Sequence, residues 1–281
     1  MQELRREYPL KGLLRLAGLA RSSFYYQQKL LQVSVSDKHA SLKRQVTTVF
    51  HRHKGRYGYR RITAALRREG APVNHKTVQR LMGVLGLKSR VRIKKYHAYR
   101  GEVGHAAPNV LNRRFNAKRP NEKWVTDVTE FNLGGRRPFL SPVLDLYNAE
   151  IVSFEMSERP LYTMISRMLN RAFERLRPGD RPILHSDQGW QYRMPLYRKT
   201  LEHHAIKQSM SRKGNCLDNA AMESFFGTLK SEFYYLDPCR NLDELRVGLR
   251  KYIHYYNHNR IKLNLGGLSP VEYRTQVVAT G

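Results

Sequence analysis

Basic side chains are spread along this chain so unevenly that two kinds of module are expected. Residues 1–119 hold 28 Lys and Arg against 5 Asp and Glu, whereas residues 120–281 hold 23 against 18. The first segment has the electrostatics of a part that grips phosphates, while the second keeps enough carboxylates to build a reactive site. At 281 residues the chain is long enough for two domains. Its formal charge of +28 calls for a polyanion, either nucleic acid or an anionic membrane. No run approaches the roughly 18–20 apolar residues that span a bilayer, and the N-terminus lacks the h-region and cleavage site of a signal peptide. No membrane partner is therefore expected, and the location is read as cytoplasmic and nucleoid-associated. Cys216 and Cys239 form no CxxC arrangement, so neither a zinc module nor a disulfide framework is supported.

Within the basic half, PLKGLLRLAGLARSSFYYQQKL reads as a short helix over Leu10–Leu16, a turn at Gly18-Leu19, and a second helix opened by Arg21 and Ser22. That is a helix-turn-helix pattern whose second helix can enter a major groove, although a plain helical hairpin would use the same leucines. A second unit has helices near 37–53, 62–69 and 75–85, the last bounded by Asn74 before and Gly86 after. Ile62, Ala65, Leu66, Val78, Leu81, Met82 and Leu85 recur at helical spacing as its core. Arg56, Tyr57, Arg60, Arg61, Lys76 and Arg80 are expected to face DNA, with His51 and His53 in the same solvated basic patch. Residues 88–120 read as an extended basic linker that tracks a DNA backbone or serves as a plain tether. The boundaries are thus 1–32, 33–87 and 88–120, then a core over 121–260 and a tail over 261–281.

At Trp124 the texture changes. WVTDVTEF, RRPFLSPVLDLY and IVSFEMSE give three strand-like runs suggesting an antiparallel meander, followed by a helix over 161–176. A buried strand ending in Ser186-Asp187, a helix over 191–204 and a short strand over 207–211 come next. This order is that of an α/β, RNase H-like core: a five-stranded mixed sheet with flanking helices, preceded here by small all-α helix-turn-helix units. Asp127 stands mid-strand among apolar residues, which requires a compensating cation or donor. Placing the fourth strand beside the first makes Asp187 converge on it, and like charges so close are tolerable mainly around a metal. In the predicted helix 218–233, Asn219, Glu223, Phe226 and Lys230 fall on one face, too polar for a core stripe. Glu223 is the third ligand, Asn219 orients DNA or ligand, and Lys230 meets a phosphate. Asp145 is read as structural, Asp218 as a helix N-cap and Glu130 as surface; His185 orients the site or is a hydrogen-bonded structural histidine.

Thirty-five residues separate Asp187 from Glu223. Together with WVTDVTEF, LHSDQGWQY, GNCLDNAAMESFFGTLKSE, YNHNRIKLNLGGLSPVEYR and the HRHKGRYGYRRI block, the pattern resembles the second-frame (OrfB) products of IS-three-family insertion sequences, DDE transposases with an integrase-like core. One departure is Ile261, where many relatives carry proline. The resemblance implies catalytic and metal-binding Asp127, Asp187 and Glu223, two Mg2+ ions with Mn2+ as the alternative, and cleavage and joining of DNA ends. It implies as partners double-stranded DNA of terminal inverted repeats and target, further copies of the chain in a homodimer or higher oligomer, and an upstream-frame (OrfA) protein. Two other readings are a nonenzymatic DNA-binding regulator and a nuclease for RNA–DNA hybrids.

Overall fold

A computed structural model describes residues 7–32, 37–90, 107–212 and 216–279. Two short helices, α1 (Leu10–Leu16) and α2 (Arg21–Gln32), come first, turning at Gly18, whose φ of +60° suits a residue without Cβ. Then α3 (Ala40–Arg52), α4 (Tyr59–Arg68) and α5 (His75–Val84) close around Val46, Val49, Ile62, Leu66, Val78 and Met82. The Asn74 side chain caps α5 by accepting from the Lys76 N–H at 2.9 Å, as the sequence signal predicts.

The second half has one mixed sheet built from β1 (Lys123–Thr126), β2 (Thr129–Glu130), β3 (Phe139–Asp145), β4 (Ile151–Ser157), β5 (Ile183–Ser186) and β6 (Lys207–Met210). β1 and β2 pair antiparallel with β3, β3 pairs antiparallel with β4, and β1, β5 and β6 run parallel. The five expected strands become six because the run WVTDVTEF breaks at Asp127. Its Oδ1 accepts from the Val128 N–H at 2.7 Å, a local bond that competes with the ladder. Asp127 therefore lies just past the end of β1 and not mid-strand.

Alternating strand residues feed two cores. Trp124, Val143 and Leu184 face α6 (Tyr162–Phe173) and α7 (Pro195–His203), with Met168, Tyr197 and Leu201. Val125, Leu140 and Leu144 face α8 (Ala220–Leu229) and α9 (Leu242–His258), with Phe225, Leu245 and Tyr252. Sheet with helices on both faces is the RNase H-like arrangement. The helix foreseen over 218–233 is instead a 3-10 turn, Cys216–Asn219, then α8, then a π-helical turn, Lys230–Tyr234.

Beyond residue 260, expected as a tail, the chain joins the core. Arg274 of α10 (Pro270–Ala279) reaches Asp145 at 3.2 Å, Glu150 at 2.5 Å and Asn121 at 2.7 Å. The described end of the expected linker is also packed: Leu111 is buried, and the Val110 and Leu111 amides donate to the Ser209 hydroxyl at 3.0 and 3.1 Å. Residues 91–106 of that linker lie outside the described residues. No described helix is long and apolar enough to cross a membrane.

Candidate active site

The parallel register of β1 and β5 pairs Trp124 with Leu184 and Val125 with His185. Carried two residues further, it sets Asp127 opposite Asp187 at the carboxyl ends of adjacent strands. Burial pushes the Asp127 carboxyl well above its ordinary range, and repulsion from Asp187, then Glu223, pushes the same way. Burial also raises Asp187, against the Gly189 N–H, which donates to its Oδ1 at 2.9 Å, and the nearby Arg193 guanidinium. The approach at Gly189 is close: a Cβ there would stand 2.6 Å from Gln191 Nε2 and 3.0 Å from Asp187 Oδ1, so either side chain would have to give way.

The third carboxylate is exposed in the first turn of α8. Among the described residues no three Asp, Glu, His or Cys side chains gather closely enough to hold an ion, so Glu223 stands off from the converged pair. Its helix is nevertheless tied to that pair, because the Asn219 side-chain amide donates to Asp127 Oδ2 at 3.0 Å. The Asn219 Oδ1 of the same amide is buried with no partner. Lys230 lies over the Phe131 ring, 5.5 Å from its centroid.

The turn that launches α8 is pinned from beneath. Asp218 does not cap the helix; Asn219 occupies that position. The buried Asp218 carboxylate accepts from Arg212 (3.0 Å), Arg113 (2.9 Å) and Asn109 (3.0 Å), and Arg212 above all holds it far below the usual carboxylate range. His185 is a structural histidine bonded on both nitrogens, to the Ser209 hydroxyl at 2.8 Å and the Asp218 carbonyl at 2.9 Å. Since Ser209 Oγ already accepts two amides, its proton goes to Nδ1, which leaves the Nε2–H to donate to Asp218. Asp145 is structural too, accepting from the Asn121 and Tyr147 amides. Glu130 is exposed, facing Arg137 at 3.7 Å.

The expected DNA contacts divide. Arg21, Ser22, Arg60, Lys76 and Arg80 are exposed. Arg56 and Tyr57 are not: Tyr57 is fully buried, and Arg56 Nε donates to the Glu232 carbonyl at 2.9 Å. Arg61 is half-buried, 3.8 Å from Glu232. His53, expected in the solvated patch, stacks on Tyr57 at 3.8 Å, and burial lowers its pKa to about 4. The residues missed in the sequence are Arg193, which faces Asp187, and Glu232, whose Lys-Ser-Glu context looks like an exposed helix until the π-turn rotates it inward.

Comparison with known proteins identifies the chain's domains and relatives. Residues 117–216 match an integrase core domain, residues 223–278 a second integrase core domain model, and residues 37–95 an HTH-like domain. The fold and these domains define an integrase-core transposase. The InsK protein of insertion sequence element IS150 from Escherichia coli K12 is 58% identical over 276 residues, covering 98% of this chain and 97% of that one. Transposase InsF for insertion sequence IS3A, from the same organism, is 32% identical over 278 residues, covering 97% and 96%. Among solved structures, the HTLV-2 integrase catalytic core domain in complex with magnesium superposes with a TM-score of 0.46 at 18% identity, over 56% of this chain and 98% of that one. The chain belongs to the insertion-sequence transposases of the IS-three family.

Proposed function

We propose that this transposase cuts a phosphodiester at each end of its element and joins the freed 3'-OH to DNA, with Asp127, Asp187 and Glu223 as its catalytic carboxylates. The observation that carries this reading is the convergence of Asp127 and Asp187 at the ends of β1 and β5, where burial raises both carboxyls and repulsion from Asp187 and Glu223 leaves Asp127 short of a counter-charge. Hard carboxylate oxygens and an unpartnered amide oxygen suit Mg2+, or Mn2+ in its place. Asp127 and Asp187 would hold two ions, with Glu223 completing the set as α8 closes. When bound, such ions activate the attacking oxygen and stabilise the leaving one.

The chain's own groups prepare that chemistry. Asn219 holds Asp127 in one orientation, the turn at Gly189 keeps Asp187 from rotating away, and exposed Arg60, Lys76 and Arg80 supply backbone contacts to a duplex. Lys230, beside Phe131 and seven residues past Glu223, takes a phosphate near the cut. Water attacks the phosphorus and displaces the terminal 3'-oxygen of the element strand, which leaves with a proton as 3'-OH while the phosphate stays on the 5' end of the flanking strand. In the second displacement that 3'-OH gives up its proton, attacks another phosphodiester and expels the 3'-oxygen there, which leaves as a new 3'-OH, so bonds made and broken balance without a covalent protein intermediate. Two ends must be brought together, which calls for a homodimer or higher oligomer; an upstream-frame OrfA protein is the other partner proposed.

Asp187→Asn tests the assignment. It should abolish nicking and joining of terminal-repeat DNA while leaving duplex binding within about 3-fold of wild type. Wild-type cutting by that variant, or preferential cutting of an RNA–DNA hybrid by the unaltered chain, refutes the reading.

A further inference from the structure

The segment that resembles a DNA-facing patch in sequence, residues 53–68, turns inward onto the core. Tyr57 Oη donates to the Asn259 carbonyl at 3.1 Å and accepts from the Ile261 amide at 2.9 Å. Ile261 itself is buried inside the hydrophobic cluster of α3, α4 and α5. Arg56 lies 4.7 Å from the Tyr255 ring centroid while its Nε donates to the Glu232 carbonyl. Arg68 grips both Glu272 oxygens, at 2.7 and 3.2 Å, and reaches the Gly267 carbonyl.

Glu232 is the centre of this joint. Its buried carboxylate takes Arg260 at 2.7 and 2.8 Å and the Tyr252 hydroxyl at 3.1 Å, with Arg61 at 3.8 Å. A buried ion pair is poor glue compared with apolar packing, but it tolerates only one register. Glu232 also sits on the same helical run as Glu223, since α8 passes directly into the π-turn. Nine residues of helix are about 13 Å, so one short strut carries the third carboxylate at one end and the joint at the other. The π-turn that ends this helical run, Lys230–Tyr234, carries Glu232 with its side chain buried in the joint.

We propose that residues 53–68 are a docking clasp, anchored on Glu232 and Glu272, that holds the exposed Arg60, Lys76 and Arg80 face at one fixed distance from Asp127, Asp187 and Glu223 and thereby sets which phosphodiester of a bound duplex is cut. The proposal rests on the cleavage reading above. Successive phosphates of a strand are about 3.4 Å apart along the duplex, so a joint loose by that much would cut one nucleotide away. The clasp residues thus position the reaction without touching the reacting atoms.

The test loosens the joint and restores it. Tyr57→Phe keeps the ring on His53 but removes the hydroxyl bridge, and Arg68→Glu sets like charges at Glu272; adding Glu272→Arg to that pair restores attraction. Each full-length variant acts on end-labelled duplex carrying the element's terminal repeats, with Mg2+, and cuts are mapped to the nucleotide. Wild type should cut at one phosphodiester, the loosened variant should spread a total within about 3-fold of wild type over neighbouring positions, and the restored variant should narrow them again. Independently of cutting, spin labels at exposed Val84→Cys and Leu196→Cys, with Cys216→Ser and Cys239→Ser, should give a narrow distance distribution that broadens on loosening and narrows on restoration. A single cut position in the loosened variant, or a broad distribution in the otherwise unaltered chain, overturns the clasp. A narrow distribution from a chain that cuts no duplex refutes the cleavage reading, and with it the cut-placing role.

Discussion

The Asn219 side-chain amide donates to Asp127 Oδ2 at 3.0 Å, tying the residue that opens α8 to the carboxylate that ends β1. Glu223 lies one helical turn further along. One hydrogen bond therefore orients Asp127 and fixes the approach of the helix that brings the third acid. Asn219→Ala should slow DNA cutting by roughly 10- to 100-fold while leaving duplex affinity unchanged, as loss of a partner that orients a ligand does. Single-turnover cutting at several Mg2+ concentrations checks this; an unchanged rate at every concentration would deny Asn219 its role.

Repulsion from Asp187 adds to burial in raising Asp127, so the pair costs the fold stability. Asp187→Asn should raise the stability of the chain in EDTA by about 1–2 kcal/mol, read from thermal or urea melts. A lower melting temperature than wild type would mean that the two carboxylates are not in repulsive contact.

Asp218 does the opposite work. Its buried carboxylate neutralises Arg212 and Arg113 and stands under the turn that launches α8. Asp218→Ala should destabilise the fold by about 2 kcal/mol, below the usual figure for a broken buried pair because both arginines are half in solvent. Equilibrium urea unfolding measures it, and a change under about 0.5 kcal/mol would contradict the anchoring role.

How much of this was legible in the chain can be argued from these residues. The meeting of Asp127 and Asp187 was legible because a carboxylate in apolar surroundings needs a reason, whereas Glu223, exposed on α8, was singled out only by its polar helix face and its spacing from Asp187; the boundaries of α1 and the cap of α5 follow from local signals at Pro9, Gly18 and Asn74. The break at Asp127 was not readable, since nothing in WVTDVTEF announces that the side chain will bond its own neighbour's amide. Nor was the inward turn of Arg56, Tyr57 and Arg61: Arg and Tyr can sit at a phosphate or in a buried polar contact, and the partners that decide are the Glu232 backbone carbonyl, 176 residues from Arg56, and the Asn259 carbonyl, 202 residues from Tyr57. The tail misled for a related reason. α10 holds to the core through Arg274, whose buried partners Asp145 and Glu150 lie far back in the sequence.

His53 gives the joint a pH dependence. Buried against Tyr57 and facing Tyr255, it is held neutral, with its pKa lowered from 6.5 to about 4 by burial first and by Arg52 and Arg56 after it. The unfolded chain takes up this proton near pH 6.5 and the folded chain only near pH 4, so the contribution is complete above pH 6.5 and declines as pH falls between those values. The loss should be on the order of 2 kcal/mol by pH 4. His53→Gln should flatten that part of the stability profile; an equal slope in the variant would place the titration elsewhere.

The central claim is that Asp127, Asp187 and Glu223 act as one metal-dependent centre, and the most direct measurement follows cutting and joining of labelled terminal-repeat duplex by the chain, with Mg2+ and with EDTA, beside Glu223→Gln. The account predicts nicks and joined strands with Mg2+, none with EDTA, and none from Glu223→Gln despite duplex binding like the wild type. Metal-independent products, or undiminished cutting by Glu223→Gln, would contradict it.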